Sequence, residues 1–126
     1  MQRNRRLRPP QRRRSDAGLI PESNTVSLHA VLTAMQSLRY TPGGVAMIEA
    51  VLSHRSTQRE GGHPRQVEFD LSARFADRAA EQLSRTALGS VLQVRGFLAP
   101  RRRGSRSVLL HVTEFEAAGS SAAASF

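Results

Sequence analysis

Arginine offers the most chemistry in this chain. Nineteen arginines and no lysine stand against ten acids, a net charge of +9 over 126 residues. A guanidinium is a planar fork of donors that fits phosphate oxygens and stacks on flat rings. An excess this large in a small protein points to a polyanionic partner. The absence of lysine reads as GC-rich codon usage; the excess of cations carries the information. Inside the chain the arginines gather at three turn-rich places. Arg39 precedes Tyr40 in "SLRYTPGG", Arg55 and Arg65 flank "STQREGGHP", and Arg101, Arg102, Arg103 and Arg106 crowd "PRRRGSRS". Separately, residues 1–14 carry seven arginines and no acid, whereas residues 24–116 carry twelve against eight acids.

Other chemistries are poorly supplied. Cysteine is absent, which removes thiolate catalysis, disulfides and Cys-ligated zinc. His54 and His63 flank one turn with Glu60 as the sole nearby carboxylate, a weak basis for a metal site. Ser53-His54 and Ser56 evoke nucleophile chemistry on paper only, because adjacent residues along a strand point to opposite faces. No paired carboxylates and no phosphate-cradling glycine loop occur. The expectation is a binding protein without cofactor or metal, not an enzyme.

The elements that position these residues follow from periodicity. "NTVSLHAVLTAM" alternates, with Val26, Leu28, Ala30 and Leu32 on one side, as in a half-buried strand. "VAMIEAVLSHR" places Ile48, Ala50 and Leu52 inward, and "QVEFDLSA" does the same with Val67, Phe69 and Leu71. Between those two strands "STQREGGHPR" reads as an open loop. "ADRAAEQLSRTALG" predicts a helix of about three turns, with Asp77 as cap, Ala80, Leu83 and Ala87 along one face, and Gly89 as stop. "SVLQVRGFLA" is a fourth strand with Leu92, Val94 and Leu98 inward, Arg95 and Phe97 outward, and a bend at Gly96. "VLLHVTEFE" is the fifth, its facing ambiguous.

Three strands, a helix and two strands fit an all-β fold with one small helix between strands 3 and 4. The matching architecture is a five-stranded Greek-key OB-fold barrel, whose loops after strands 1 and 4 border a face for single-stranded nucleic acid. A generic β-sandwich is the alternative. The domain spans residues 23–117. Residues 1–22 form an Arg-rich disordered extension, either a nucleic-acid-binding arm, an unconstrained tail or an upstream start the cell does not use, and residues 118–126 a low-complexity disordered one. No apolar run approaches the ~20 residues that span a bilayer, and the basic N-terminus has no apolar segment behind it. A cytoplasmic location is expected.

Over residues 23–117 the chain resembles primosomal replication protein N, the PriB family. The resemblance rests on "VLSHRSTQ", the Gly-containing turn and "RQ" after it, "GSVLQVRGFL", and "LLHVTEFE". "GSVLQVRGFL" is shared in style with general bacterial single-stranded-DNA-binding proteins, while "LSHRSTQ" is not. The resemblance implies a homodimer of OB folds that binds single-stranded DNA during replication restart at stalled forks. Its implied partners are the PriA helicase and, in some bacteria, a further helicase-loading factor. The acidic C-terminal peptide of general single-strand binders is missing before Phe126, which favours the primosomal reading.

Single-strand binding without sequence preference needs cations along a groove and π-faces for the bases. Arg39, Arg55, Arg65, Arg101, Arg102, Arg103 and Arg106 match basic positions or loops of the family. The family's outward aromatic on strand 3 falls at Glu68, and another before "RQ" at His63. Tyr40 is then the candidate stacker, with packing beneath its loop as the alternative; Phe97 fits a dimer surface or packing better. Two other functions compete: a protein–protein adaptor docking through its outer face, and an RNA-binding OB protein of the translation apparatus.

Overall fold

The computed structural model describes residues 23–118. Residues 1–22 of the expected extension and 119–126 of the expected tail lie outside that range. Strands β1 (Val26–Met35), β3 (Ala46–Glu60), β4 (His63–Ala76), β5 (Val91–Pro100) and β6 (Val108–Ala117) carry the fold, with a two-residue strand β2 (Arg39–Tyr40) and helix α1 (Arg78–Leu83). The sheet runs β1-β5-β6-β4-β3-β2, and a second pairing of β1 with β3 closes it. Only β4 and β6 run parallel, over Ala73↔Leu110 to Phe75↔Val112. This is the five-stranded OB barrel, with β2 laid on the outside of β3 through Arg39↔Met47 and Tyr40↔Ala46.

Closure buries one face of each of the five barrel strands along the barrel wall. Leu32, Ile48, Leu52, Phe75, Leu92, Val94 and Leu110 fill the interior, and alanines at 30, 46, 50 and 73 bring the walls close. Phe75 and Phe115 meet edge to face with centroids 5.5 Å apart. Gly96 sits where the β5–β6 register shifts after Arg95, so the expected bend is there. A Cβ at Gly96 would overlap the His111 carbonyl.

The helix is shorter than its sequence pattern. It ends at Leu83, with Ala79, Ala80 and Leu83 buried against the barrel. Beyond it, Ser84 Oγ donates to the Glu81 carbonyl, Thr86 Oγ1 to Gln82 and Ser90 Oγ to Ala87. Such short hydroxyls compete with the helix ladder and favour turns, which leaves Ala87 exposed. The Asp77 side chain makes no cap hydrogen bond; its amide donates to the Ala46 carbonyl instead.

The tract read as an open loop is the largest departure. β3 and β4 pair continuously from Met47↔Ala76 to Glu60↔His63. Gly61 and Gly62 supply the turn with φ of 62° and 84°, the two positive values that a tight mirror-image turn demands. Two-residue closure lets polar residues stay paired where composition alone reads as loop. The pairing of β1 with β3 ends at Ser53, and that of β6 with β4 at Ala73. The hairpin therefore projects beyond the barrel as a two-stranded ribbon. For that reason Phe69, expected in the core, lies past the rim and is 40% exposed. Val67 is only half-buried, and Leu98 at the rim of β5 is likewise exposed.

Candidate nucleic-acid interface

Two loops meet at one edge of β3. The segment after β1 is folded by the Thr41 amide donating to the Val45 carbonyl and by Thr41 Oγ1 accepting from the Val45 amide. It holds Arg39 beside Met47 and leaves Tyr40 60% exposed. The segment after β5 is closed by the Ser105 amide donating to the Arg102 carbonyl, with Gly104 at φ 80°. From its base Arg101 reaches Glu49 on β3 at 3.1 Å. Met47 and Glu49 are two residues apart on one face of β3, so Arg39 and Arg101 bracket the same patch. Arg102, Arg103 and Arg106 are exposed on the same loop as Arg101, and no carboxylate pairs with them among the described residues.

The other two predicted cations stand apart. Arg55 lies six residues along β3 from Glu49, about 20 Å at the rise of a strand, and pairs with Glu68 at 3.1 Å. Arg65 sits on the opposite face of the ribbon and pairs with Glu60 at 2.8 Å. Both pairs are exposed, so water and salt screen them and each contributes little. Glu68, at the family's stacking position, thus neutralises the nearest arginine.

Sequence reasoning missed Arg74. On the outer face of β4 it donates to Glu49 Oε2 through Nη2 at 2.8 Å and Nε at 3.3 Å. Glu49 and Arg74 are largely shielded, with side chains 18% and 24% exposed. The Arg74 hydrogen bond holds the Glu49 carboxyl below its ordinary range; burial opposes this, and Arg101 adds to it. A signal existed: Glu49 lies twelve residues before Gly61 and Arg74 twelve after Gly62. A two-residue turn at the glycines places them opposite each other. Next to Arg74 on β6, His111 stacks flat on Phe97 with centroids 5.0 Å apart. Burial, with Arg74 nearby, pushes the His111 pKa down.

Near the ribbon, His54 stacks on Phe69 at 5.1 Å. Its Nδ1–H donates to the His29 carbonyl at 2.7 Å and its Nε2 meets Ser56 Oγ at 2.8 Å. Both ring nitrogens are engaged, which leaves neither for a metal. Ser53 instead donates to Asp70 at 2.7 Å across the ribbon. Ser53 and His54 therefore point apart, and the hydroxyl that does meet the His54 ring is that of Ser56.

Residues 24–114 match the model of a family described as another single-strand binding protein family. Over 91 residues the chain is 42% identical to the replication restart protein PriB of Bordetella pertussis, covering 72% of this chain and 85% of that one. Over 98 residues it is 38% identical to PriB of Nitrosomonas europaea, covering 75% and 91%. The solved structure of PriB from Ralstonia solanacearum superposes with a TM-score of 0.69 at 35% identity, covering 76% of this chain and 98% of that one. A single-stranded DNA binding protein from Thermus aquaticus superposes at 0.62 with 27% identity, covering 77% and 50%. Barrel and family model together define an OB-fold member of the single-strand binding proteins. Within that class, the chain belongs to the PriB family of replication restart proteins.

Proposed function

We propose that this protein binds single-stranded DNA as a primosome accessory factor in replication restart. We also propose that it works in the cytoplasm as a homodimer, with the PriA helicase and a further helicase-loading factor as protein partners. The carrying observation is that Arg39 and Arg101 reach the Met47–Glu49 stretch of one closed barrel from two separate loops, the second of which also exposes Arg102, Arg103 and Arg106. Cations spaced around a groove suit a flexible polyanion and read no sequence. Tyr40, exposed on β2, supplies a π-face beside them. Arg55 and Arg65 stay candidates through exchange of their exposed carboxylate partners for phosphate.

The family consists of binding proteins, and this one is not an enzyme. Among the described residues no helix is long and apolar enough to cross a membrane. The test is anisotropy with a labelled dT oligonucleotide, competed by dT and by rU. Replacing Arg102, Arg103 and Arg106 by Ala is expected to cost at least tenfold in affinity, and rU to compete more weakly than dT. An unchanged affinity refutes the loop assignment.

A second reading, a protein-docking adaptor, is favoured by the neutralised outer face of the ribbon, where Arg55 is held by Glu68 and Asp70 by Ser53. Capture of PriA by the triple variant at wild-type strength, with DNA binding lost, separates the two surfaces.

A further inference from the structure

Four neighbouring strands bring four side chains into one row across the outer wall of the barrel. Phe97 on β5 pairs with His111 on β6, His111 with Arg74 on β4, and Arg74 with Glu49 on β3. Their neighbours along each strand, among them Val112, Ala73, Phe75, Ile48 and Ala50, are buried in the core, so the row faces outward. Arg101 reaches the end of the row from the loop after β5.

The row has a flat end and a charged end. Phe97 and His111 lie within 3° of parallel, and Phe97 is 38% exposed. Burial and the Arg74 cation disfavour a charge on His111, so the platform is an uncharged pair of rings. His111 Nε2 is the one buried side-chain polar atom without a hydrogen-bond partner among the described residues, and a buried polar atom left unpaired calls for an explanation. At the other end two guanidiniums share one carboxylate, a local excess of one positive charge. Arg74 Nη1 and Arg101 Nη2 are not engaged with Glu49. Two strand spacings, about 10 Å, separate β5 from β4, a span that a nucleotide and its flanking phosphates cover.

We propose that this row is a nucleotide subsite of the single-strand-binding surface: Phe97, backed by His111, carries a base, and Arg74 with Arg101, posed by Glu49, holds a phosphate. The subsite rests on the proposed DNA binding and adds to it a stacking position that replaces the one lost at Glu68. It also explains why a residue as costly to shield as Glu49 stands beneath a phosphate track. The carboxylate fixes the geometry of both forks without cancelling their combined charge.

The experiment uses the full chain and dT oligonucleotides carrying 5-iododeoxyuridine. Ultraviolet crosslinking followed by mass spectrometry is expected to find Phe97 or His111 attached to the base. In anisotropy titrations, Phe97→Leu is expected to weaken binding about tenfold, within the range for loss of one stacked base, with the salt dependence unchanged. Phe97→Tyr restores it. Arg74→Gln makes the slope of log affinity against log salt shallower by about 0.7, the value for one lost phosphate contact on a single strand. A merely structural role for Arg74 would not move that slope selectively. Binding by the wild-type chain with crosslinks confined to Tyr40 or the ribbon, and with slope and affinity unmoved in the variants, overturns the subsite alone. No dT binding by the wild-type chain overturns both the subsite and the reading beneath it.

Discussion

Glu49 shows how one carboxylate sets the local electrostatics. Its folded pKa lies below the ordinary 4.5 because Arg74 and Arg101 favour the charged form more than burial disfavours it. Between the lowered pKa and 4.5 the unfolded chain therefore binds more protons. The contribution to stability is full above 4.5 and is lost as pH falls through the folded value. Urea unfolding from about pH 7 to about pH 3 should show wild type and Glu49→Gln furthest apart at neutral pH and converging in acid. A constant gap would remove the charge from the explanation. Glu68 offers the complementary prediction. Glu68→Trp frees Arg55 and adds a π-face where the family has one, so dT affinity should rise about tenfold or more. An unchanged affinity would take the ribbon out of the DNA path. Of these residues Glu68 was legible in the sequence, because alternation placed it outward and the resemblance gave that position a role. Arg74 was not, because its partner became visible only once the register was known.

At the scale of elements, register is what the sequence hid. Alternation alone placed the inward faces of β1 and of β3 at Ile48, Ala50 and Leu52. It also assigned Phe69 and Leu98 inward, on the right side of their strands, but periodicity carries no mark of where the barrel ends. Composition of "STQREGGHPR" reads as loop, yet Gly61 and Gly62 keep fourteen residue pairs in step. Gly62 holds φ 84°, so Gly62→Val should cost about 1–2 kcal/mol for a left-handed backbone with a side chain. Hydrogen exchange should localise the loss to the ribbon amides while those of Leu92 and Val94 keep their protection. Loss spread evenly over the barrel would show that ribbon and barrel unfold as one unit.

For the whole molecule, fold class was readable because element order and closure are encoded in patterns that survive loop errors. Charge distribution was readable too, but the number of free cations was not. Arg101 is committed to Glu49, Arg55 to Glu68 and Arg65 to Glu60, which leaves Arg39, Arg102, Arg103 and Arg106 unpaired by acids on the loops. Four phosphate contacts, with a fifth at the proposed Arg74–Arg101 subsite, imply a slope near −3.5 in log affinity against log salt, or about a 130-fold loss from 50 to 200 mM salt. Residues 1–22 hold seven further arginines against Asp16 and Glu22. Each that joins the DNA steepens the slope by about 0.7. A fragment beginning at residue 23 keeps the barrel, whose counterpart accounts for 98% of the Ralstonia chain. That fragment should titrate with a slope near −3.5, and the full chain should bind more tightly and with a steeper slope. Equal slopes would confine the binding charge to the barrel and deny the arginine-rich segment any share in it.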